Sequence, residues 1–565
     1  MKKNILLFLM IISMYFISSA QTIIPAGNVS GTWTLAGSPY LIQGSIMIPN
    51  DSTLTIEPGS TVNFQGTYKL YVQGRLLAIG TITDTITFTA TNTTNGWRGI
   101  RFDNTPTTND TSKLIYCKIQ YGKSNGTGDD ANGGAFFFKY FSKVIIFNCR
   151  ISNNSASEYG GGIYCSQSNP IIINNAINNN SASEYGGGVV CRSNSHPTIT
   201  NNIIFNNYAF YFGGGIYCEN SYPTITDNAI TNNLASSCGG GIHCEQSSPT
   251  ITNNIISNNS AKTGGGIECF SSSNPLIINN TISYNSATSS VTAQGGGGIN
   301  CYEASNPIII GSTISNNSAI QCGGGIKCFN SNPIITNSTI SNNLALIGGA
   351  LYSSGTSNPT FHNCILWGNT ANTSGAQVFL NTEDTDPDFY FCDIQDGTAA
   401  FGLNGVFYTG IFENNIDVDP LFVDPATGDW SLQTGSPCID AGTPDTAGLK
   451  LPILDIADSA RISGDSCIID IGAYEYQNGT CFNGLEEISS RLYINIFPNP
   501  ATDEIKIEIS QKSDIEILNI EGKIMKTINK TDTRSTTDLK NLSSGVYLIK
   551  ITTDKGVLIR KIIKQ

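Results

Sequence analysis

A short motif recurs along the middle of this chain at nearly constant spacing, and it limits the fold more than any other feature. The motif is a glycine run, an aliphatic residue, one variable residue and a cysteine, as in Gly160-Gly161-Gly162-Ile163-Tyr164-Cys165. Successive motif cysteines are separated by 26, 27, 26, 25, 32 and 27 residues. Such a period predicts a solenoid of stacked, similar units. The motif cysteines are Cys165, Cys191, Cys218, Cys244, Cys269, Cys301 and Cys328.

Each unit has the pattern of β-strands rather than of helices. Apolar residues alternate with period two, as in Ile163 and Cys165, and β-branched residues are frequent. Pro and Gly recur too often for helices of ten residues. A unit of about 26 residues accommodates three short strands and their turns, which is one coil of a parallel β-helix, and coils stack at about 4.8 Å. The sequence therefore predicts an all-β solenoid.

Stacking places equivalent residues of successive coils in columns. Ile163 and Cys165 share parity, so both are predicted to point inward, and the seven motif cysteines then form an internal column. A second column is predicted at a bend, where Asn tolerates a left-handed turn and stacked amides bond along the column. Its predicted members are Asn174, Asn201, Asn253, Asn279 and Asn337, with Asp227 replacing Asn once.

The state of the cysteines is open at this point. A buried thiol suits a strand interior, and side chains in register run parallel, which suits disulfide geometry poorly. Free thiols are the favoured interpretation, and some disulfides and a metal site are the alternatives. Cys238 and Cys322 precede glycine runs and could face outward, whereas Cys438 and Cys467 are the better candidates for a disulfide.

The repeat resembles the right-handed parallel β-helix superfamily that includes the pectate lyases. Within it, the glycine run and the second half of each unit, as in Ser248-Pro249-Thr250-Ile251-Thr252-Asn253-Asn254-Ile255-Ile256, most resemble repeats of the polymorphic outer membrane protein type. The repeats here mostly have Gly for the family's Ala and Ile for its Phe. The resemblance implies the fold and does not imply an activity.

The two ends of the chain resemble export signals. Lys2, Lys3 and the apolar run before Ala20 resemble a signal peptide that is cleaved near Ala20. Phe497-Pro498-Asn499-Pro500 and the strands after it resemble a type IX secretion C-terminal sorting domain of the Bacteroidetes phylum, folded as a small β-sandwich. This implies Sec export followed by type IX secretion, with the secretion machinery as the partner of residues 491–565 and an extracellular or outer-membrane-surface location.

These features divide the chain into five predicted parts. Residues 1–20 are the signal peptide, 21–128 are N-terminal coils and a cap, and 129–375 are the regular repeats. Residues 376–485 resemble the irregular choice-of-anchor region that ends many secreted bacterial β-helices, and 486–565 are the sorting domain. No segment of the mature chain is long and apolar enough to be a predicted transmembrane helix.

Composition excludes several functions. The net charge is −13, and nucleic acid binding needs a basic surface, so no nucleic acid partner is expected. The three histidines, His196, His243 and His362, lack the spacing of a metal site or of a catalytic triad. No catalytic residue and no metal ligand are assigned.

One stretch of the sequence leaves open whether the protein binds calcium. An Asp-rich stretch could bind calcium through carboxylate oxygens, with ordinary Asx turns as the alternative. Its members are Asp417, Asp419, Asp424, Asp429, Asp440 and Asp455.

One outer surface of the regular coils is the candidate ligand site. The residue before each motif cysteine has the parity of an outward side chain, and so does the residue after it. These positions vary between coils and include aromatic and charged types that suit a carbohydrate, and a plain solvated sheet is the alternative. The candidates are Tyr217, His243, Glu245, Glu268, Phe270, Tyr302, Lys327 and Phe329.

Three functions follow as hypotheses. The first is a non-enzymatic secreted or surface protein that adheres to an extracellular polysaccharide or to a host or matrix surface. The second is a polysaccharide lyase or glycoside hydrolase, which would need two or three clustered carboxylates with Lys or Arg on one outer face. The third is a passive stalk whose coils provide only length.

Overall fold

The computed structural model describes residues 21–463, 467–477, 494–497, 501–509, 513–519, 523–531, 534–543, 545–553 and 556–564. These residues form two compact units, which divide between Thr480 and Cys481. The first unit is a parallel β-helix with a lateral segment, and the second is a small antiparallel β structure. The predicted signal peptide, residues 1–20, lies outside the described residues.

The solenoid consists of three long parallel sheets, each with one strand from every coil. Sheet 1 comes first in each coil. Its strands are Thr22–Ile24, Tyr40–Ile42, Thr61–Phe64, Ile86–Ala90, Cys117–Gln120, Arg150–Ser152, Ala176–Asn178, Ile203–Phe205, Ala229–Thr231, Ile255–Ser257, Thr281–Ser283, Thr313–Ser315, Thr339–Ser341, Ile365–Trp367 and Asp393–Ile394.

Sheet 2 contains the motif cysteines. Its strands are Gly27–Asn28, Ile46–Ile48, Leu70–Val72, Ile100–Asp103, Phe136–Lys139, Ile163–Ser166, Val189–Arg192, Ile216–Glu219, Ile242–Glu245, Ile267–Phe270, Ile299–Tyr302, Ile326–Phe329, Leu351–Ser354, Val378–Leu380 and Gly402–Leu403.

Sheet 3 completes each coil. Its strands are Gly31–Trp33, Thr53–Ile56, Arg75–Ile79, Ser112–Ile115, Val144–Phe147, Ile171–Ile173, Thr198–Thr200, Thr224–Thr226, Thr250–Thr252, Leu276–Ile278, Ile308–Ile310, Ile334–Thr336, Thr360–His362, Asp388–Tyr390 and Phe412–Glu413.

A fourth, shorter sheet, called the side sheet, lies between sheets 1 and 2 along the chain. Its strands are Lys123–Ser124, Ser155–Ala156, Ser181–Ala182, Tyr208–Ala209, Leu234–Ala235, Ser260–Ala261, Ser286–Ala287, Ser318–Ala319, Leu344–Ile347 and Thr370–Ser374. Short 3₁₀ turns occupy Leu35–Gly37, Gly128–Ala131 and Gly397–Ala400. The parallel coils thus continue to Glu413, beyond residue 375, where the sequence predicts the regular repeats to end.

The core is built from columns, each of which contains the same type of residue from successive coils. The cysteines of sheet 2 pair in register, beginning with Cys165 and Cys191 and ending with Cys301 and Cys328. All seven are buried free thiols in the main hydrophobic core, beside columns of isoleucine from all three sheets. Burial raises the pKa of the Cys165 thiol, so this thiol stays protonated and nonreactive at neutral pH.

Two asparagine ladders hold the bends, and one differs from the predicted column. Asn174 and its equivalents adopt the left-handed conformation at the bend between sheets 3 and 1, as expected. The stacked, buried amides, however, belong to the next residue. Asn175 Nδ2 donates to Asn202 Oδ1 at 3.0 Å, and Asn202 donates to Asn228 at 3.0 Å. The left-handed turn rotates the following side chain inward, so the predicted ladder was displaced by one residue.

The second ladder, between sheet 1 and the side sheet, has no counterpart in the sequence predictions. In it, Asn233 Nδ2 donates to Asn259 Oδ1 at 3.0 Å and to the carbonyl of Ile204 at 2.8 Å. Its members are Asn154, Asn180, Asn207, Asn233, Asn259, Asn285, Asn317, Asn343 and Asn369.

Residues after the last coil pack along the side of the solenoid, on the outer surface of sheet 1. The hairpin Phe422–Asp424 and Asp429–Leu432 places Trp430 against the coils, and its Nε1 donates to Ser315 Oγ at 3.2 Å. Asn337 Nδ2 donates to the carbonyl of Asp470 at 2.9 Å. This lateral segment has its own small core, which includes the coil residue Ile365.

The predicted pairing of Cys438 with Cys467 is wrong. Cys438 is a buried free thiol whose Sγ lies 3.2 Å from Asp393 Oδ2, whereas Cys467 is disulfide-bonded. Of the two cysteines before glycine runs, Cys322 is buried and Cys238 is partly exposed.

The second unit contains two antiparallel sheets around a core of aliphatic side chains. One sheet has the strands Ile494–Phe497, Glu504–Ile509 and Arg534–Asp538, and the other has Ile524–Thr531, Ser513–Asn519, Gly545–Thr553 and Gly556–Lys564. The predicted all-β class, a parallel β-helix followed by a small β-sandwich, is confirmed. Among the residues described, no helix is long and apolar enough to cross a membrane.

Candidate functional site

The residue before each motif cysteine points away from the core of the solenoid, but it does not face water. We call these residues the outer column. Tyr217, His243, Glu268 and Lys327 are each no more than 3% exposed. The expectation that these four side chains lie on an open surface is therefore wrong. The column runs through Phe137, Tyr164, Val190, Tyr217, His243, Glu268, Asn300, Lys327 and Tyr352.

The chain itself covers the outer column. After each side-sheet strand, the chain crosses the outer surface of sheet 2. It then turns into the sheet 2 strand at a glycine in the left-handed region, such as Gly264 with φ +58°. A Cβ on Gly264 would lie 2.8 Å from the Cβ of Glu268, so only glycine lets the backbone approach this closely. The residue before this glycine forms a second column, the cover column: Tyr159, Tyr185, Phe212, Cys238, Thr263, Gly295, Cys322 and Ile347.

The size of the cover residues changes along the solenoid. Large aromatic cover residues, such as Tyr185 and Phe212, seal an aromatic cluster around Tyr164 and Tyr217. In the next coils the cover residues shrink to Cys238, then Thr263, then Gly295. The outer column is therefore covered by aromatic rings in the earlier coils and by much smaller residues in the middle ones.

A groove of about 900 Å³ opens where the cover residues are small. Glu268, Asn300 and Lys327 line its floor, and the next outward residues of the same strands, Phe270 and Tyr302, lie beside them. Residues 288–291, 293 and 294 form another part of its wall. They come from the coil in which the motif cysteines are 32 residues apart rather than about 26, so the long interval in the sequence is the signal for this wall.

At the floor of the groove, hydrogen bonds through Asn300 connect the carboxylate of Glu268 with the ammonium group of Lys327. Asn300 Nδ2 donates to Glu268 Oε1 at 2.7 Å, and Lys327 Nζ donates to Asn300 Oδ1 at 3.2 Å. Thr263 Oγ1 donates to the other oxygen of Glu268 at 3.0 Å. Burial raises the pKa of Glu268 to about 7, although the positive charge of Lys327 and these hydrogen bonds act in the opposite direction.

Three aromatic residues, Phe270, Tyr302 and Phe329, form a stack along the edge of the groove. Their ring centroids are 5.7 and 4.9 Å apart, and the planes are nearly parallel. The rings therefore cover one another, and mainly their edges face the groove. Phe329 pairs in the next coil with Ser354, which has no ring, so the far surface of Phe329 faces a groove-lining serine.

The other three predicted site residues lie outside the groove lining. His243 stacks between Phe212 and Tyr217, with centroids 4.7 and 5.4 Å away, and burial lowers its pKa to about 3. Tyr217 donates a 2.8 Å hydrogen bond to the half-buried Glu245. His243 is thus neutral and enclosed at ordinary pH, and this group has the packing of a structural cluster.

The sequence predicted an open ligand face rather than a groove, and five of its eight candidates line this groove: Glu268, Phe270, Tyr302, Lys327 and Phe329. The sequence prediction missed Asn300 as the link between the two charges. It also missed Lys262 and Thr263 at the rim, since these precede the glycine run and not the cysteine.

The Asp-rich stretch has the geometry of turns. Asp419, Asp429 and Asp455 each accept a hydrogen bond from the backbone N–H two residues later, at 3.0, 3.0 and 2.9 Å. This is the geometry of Asx turns. Among the described residues, no three His, Cys, Asp or Glu side chains are grouped as metal ligands.

Comparison with known proteins adds the family and the export route. Residues 495–565 match the secretion system C-terminal sorting domain, which implies handling by the type IX secretion machinery and a location on or outside the cell. Among solved structures, the crystal structure of pectate lyase Pel9A is similar, with a TM-score of 0.34 and 14% identity over 81% of this chain and 97% of that one. No curated protein matches the chain significantly. Residues 40–265 and 214–394 match the right-handed β-helix region, so the chain belongs to the right-handed β-helix family.

Proposed function

We propose that this exported β-helix is a glycan-binding protein that attaches to an extracellular polysaccharide or matrix through the groove. The observation that carries the proposal is a groove of about 900 Å³, lined by polar and aromatic side chains, above the stretch of the outer column where the cover residues are small. Large concave sites with a few convergent polar groups are the usual places of ligand binding.

The chemistry of the lining supports a polyhydroxylated ligand. Hydroxyl groups of Ser289, Ser290 and Thr382 and the amides of Asn300 and Asn381 line the groove. Each can donate and accept hydrogen bonds, as sugar hydroxyls do. The far side of the Phe329 ring provides an apolar surface on which one sugar ring can pack.

The groove is also long in the direction of the solenoid axis. Its lining extends from Cys238 to Thr382, across six consecutive coils from the one with strand Ile242–Glu245 to the one with strand Val378–Leu380. Five coil-to-coil steps correspond to about 24 Å. A site of this length suits a chain of several sugar units better than a single small molecule.

A polysaccharide lyase or hydrolase is the second candidate, and one observation favours it. The pKa of the Glu268 carboxyl, about 7, is suited to proton transfer at neutral pH. However, Glu268 is the single carboxylate among the described residues that line the groove. The cluster of two or three carboxylates that the enzyme hypothesis requires is therefore not assembled here, and binding is the better-supported function.

Export begins in this proposal with Sec-dependent removal of residues 1–20. The sorting domain supports it, because type IX substrates first enter the periplasm. Amino-terminal sequencing of the protein recovered from the cell surface and from the medium should begin at Gln21. A mature protein that still contains the apolar segment would contradict this part of the proposal.

A glycan array with purified protein tests the binding function. Phe329→Ala should weaken binding to the best ligand about tenfold, which corresponds to about 1.4 kcal/mol. Tyr222→Ala is the matched control, since Tyr222 is 53% exposed and lies outside the groove lining. The proposal fails if no glycan binds, or if both variants bind as the wild type does. Incubating each ligand with the protein and measuring new reducing or unsaturated ends tests the enzyme alternative.

A further inference from the structure

The floor of the groove carries two opposite charges that compensate each other. Glu268 and Lys327 lie two coils apart in the outer column, and Asn300 between them bonds to both. Both side chains are at least 97% buried. Opposite charges joined in this way form a buried pair with little net charge when both are ionised.

The rest of the lining adds one positive charge, and it lies at the solvent-exposed rim, where water and salt screen it from the floor. Lys262, which is exposed at the rim, is the other charged residue among the described residues that line the groove. A ligand carboxylate or sulfate at the floor would lie next to Glu268 and would disturb the compensated pair. Burying a third charge there is costly, because a buried charge needs a partner of its own.

Lys327 also needs acceptors that an uncharged ligand can supply. Its ammonium group has three N–H donors, and Asn300 Oδ1 is the acceptor that the structure gives it. Its Nζ lies 5.4 Å from the ring centroid of Tyr302 and 5.8 Å from that of Phe329. A ligand hydroxyl above the floor can accept from Lys327 and donate to another group, and it adds no charge.

We propose that the groove binds a neutral, hydroxyl-rich glycan segment and discriminates against acidic polysaccharides. This inference rests on the proposed function and specifies the ligand class of the same site. The whole-chain charge of −13 acts in the same direction, because it repels a polyanion before contact. A neutral ligand also makes binding insensitive to salt.

Matched pairs of glycans test the inference with the full mature chain. Each pair has the same backbone linkage, for example a soluble β-1,4-glucan oligomer and the same oligomer oxidised to the uronic acid at C6, and parallel pairs use galactan and mannan. At pH 8 the neutral member should bind at least about tenfold more tightly. Its dissociation constant should change little between about 0.05 and 0.5 M NaCl.

Variants at the floor show whether the charge pair sets the preference. Glu268→Gln leaves Lys327 uncompensated, so the ratio of acidic to neutral affinity should rise by at least about tenfold. Glu303→Gln removes one negative charge from an exposed residue of the next coil, outside the groove lining, and should leave the ratio unchanged. Circular dichroism of each variant verifies that the fold is retained.

The possible results separate the two proposals. If the wild type prefers the acidic members, or if Glu268→Gln leaves the ratio unchanged, the neutral-ligand inference is wrong while glycan binding stands. If no member of any pair binds, both the inference and the proposed function are wrong.

Discussion

Replacing Glu268 by glutamine should make the folded protein more stable at alkaline pH and leave it unchanged at acid pH. The carboxyl is fully enclosed in the floor of the groove, and burial raises its pKa from the ordinary 4.5 to about 7. A carboxyl whose pKa is higher in the folded state contributes stability below its unfolded pKa, and this contribution is lost as the pH rises through the folded pKa. Glutamine has nearly the same shape and remains neutral at every pH.

The size of the effect follows from the shift in pKa. Each unit is worth about 1.4 kcal/mol, so a shift from 4.5 to about 7 costs the folded protein about 3 kcal/mol once the pH is above 7. The difference in unfolding free energy between the Glu268→Gln variant and the wild type should therefore increase by about 3 kcal/mol between pH 4.5 and pH 8.

Urea unfolding at a series of pH values measures this difference directly, because the contributions of all other ionisable groups cancel between the two proteins. Glu303→Gln is the control, since Glu303 is exposed. Its difference from the wild type should not vary with pH. A Glu268→Gln difference that is flat across the range, or that decreases toward alkaline pH, would refute the buried position of this carboxyl.

Three further outcomes follow from the structure. Asn233→Ala removes four buried hydrogen bonds and should lower the unfolding free energy by about 4 kcal/mol. The control is Asn232→Gly, at the exposed left-handed position beside it, which should lower it by less than about 1 kcal/mol. Equal losses in the two variants would contradict the ladder. In the native protein a maleimide reagent should label Cys238 slowly and the buried Cys218 only after unfolding, as peptide mass spectrometry would show. Deleting residues 289–294 restores the 26-residue spacing and should weaken glycan binding about tenfold without changing the circular dichroism spectrum, since it removes one wall of the groove.

The solenoid could be predicted because its determinants are local and repeated. The alternation of Ile163 and Cys165 fixes which side chains point inward, and the period fixes which residues stack. The bend was harder to predict, because the inward rotation after Asn174 depends on its left-handed backbone. The sequence shows that an asparagine pair lies there, but only the backbone shows that Asn175 carries the ladder.

The candidate site was only partly predictable. The alternation of residues along a strand predicts whether a side chain points inward or outward, but it does not predict which other part of the chain covers that side chain. Glu268 and Lys327 have outward parity, yet both are buried by the chain segment that precedes each glycine run. Aromatic residues such as Tyr185 and Phe212 before those glycines were a visible sign of a second layer. The lateral segment that contains Trp430 has no period, so its position on sheet 1 could not be derived from the sequence.

The graded cover column has a consequence for how such proteins diverge. Apart from the coil with the longer interval, the coils repeat nearly the same backbone, so the cover over the outer column depends mainly on one side chain per coil, large at Tyr185 and absent at Gly295. Duplication or loss of a coil moves the stretch with small cover residues along the axis. A smaller residue in place of Tyr185 would uncover the column there, whereas Gly295 cannot be enlarged in place, because an added Cβ would collide with the backbone of Cys322. Descendants of one ancestor can therefore keep the same scaffold while their recognition sites lie at different heights, built from residues that do not align.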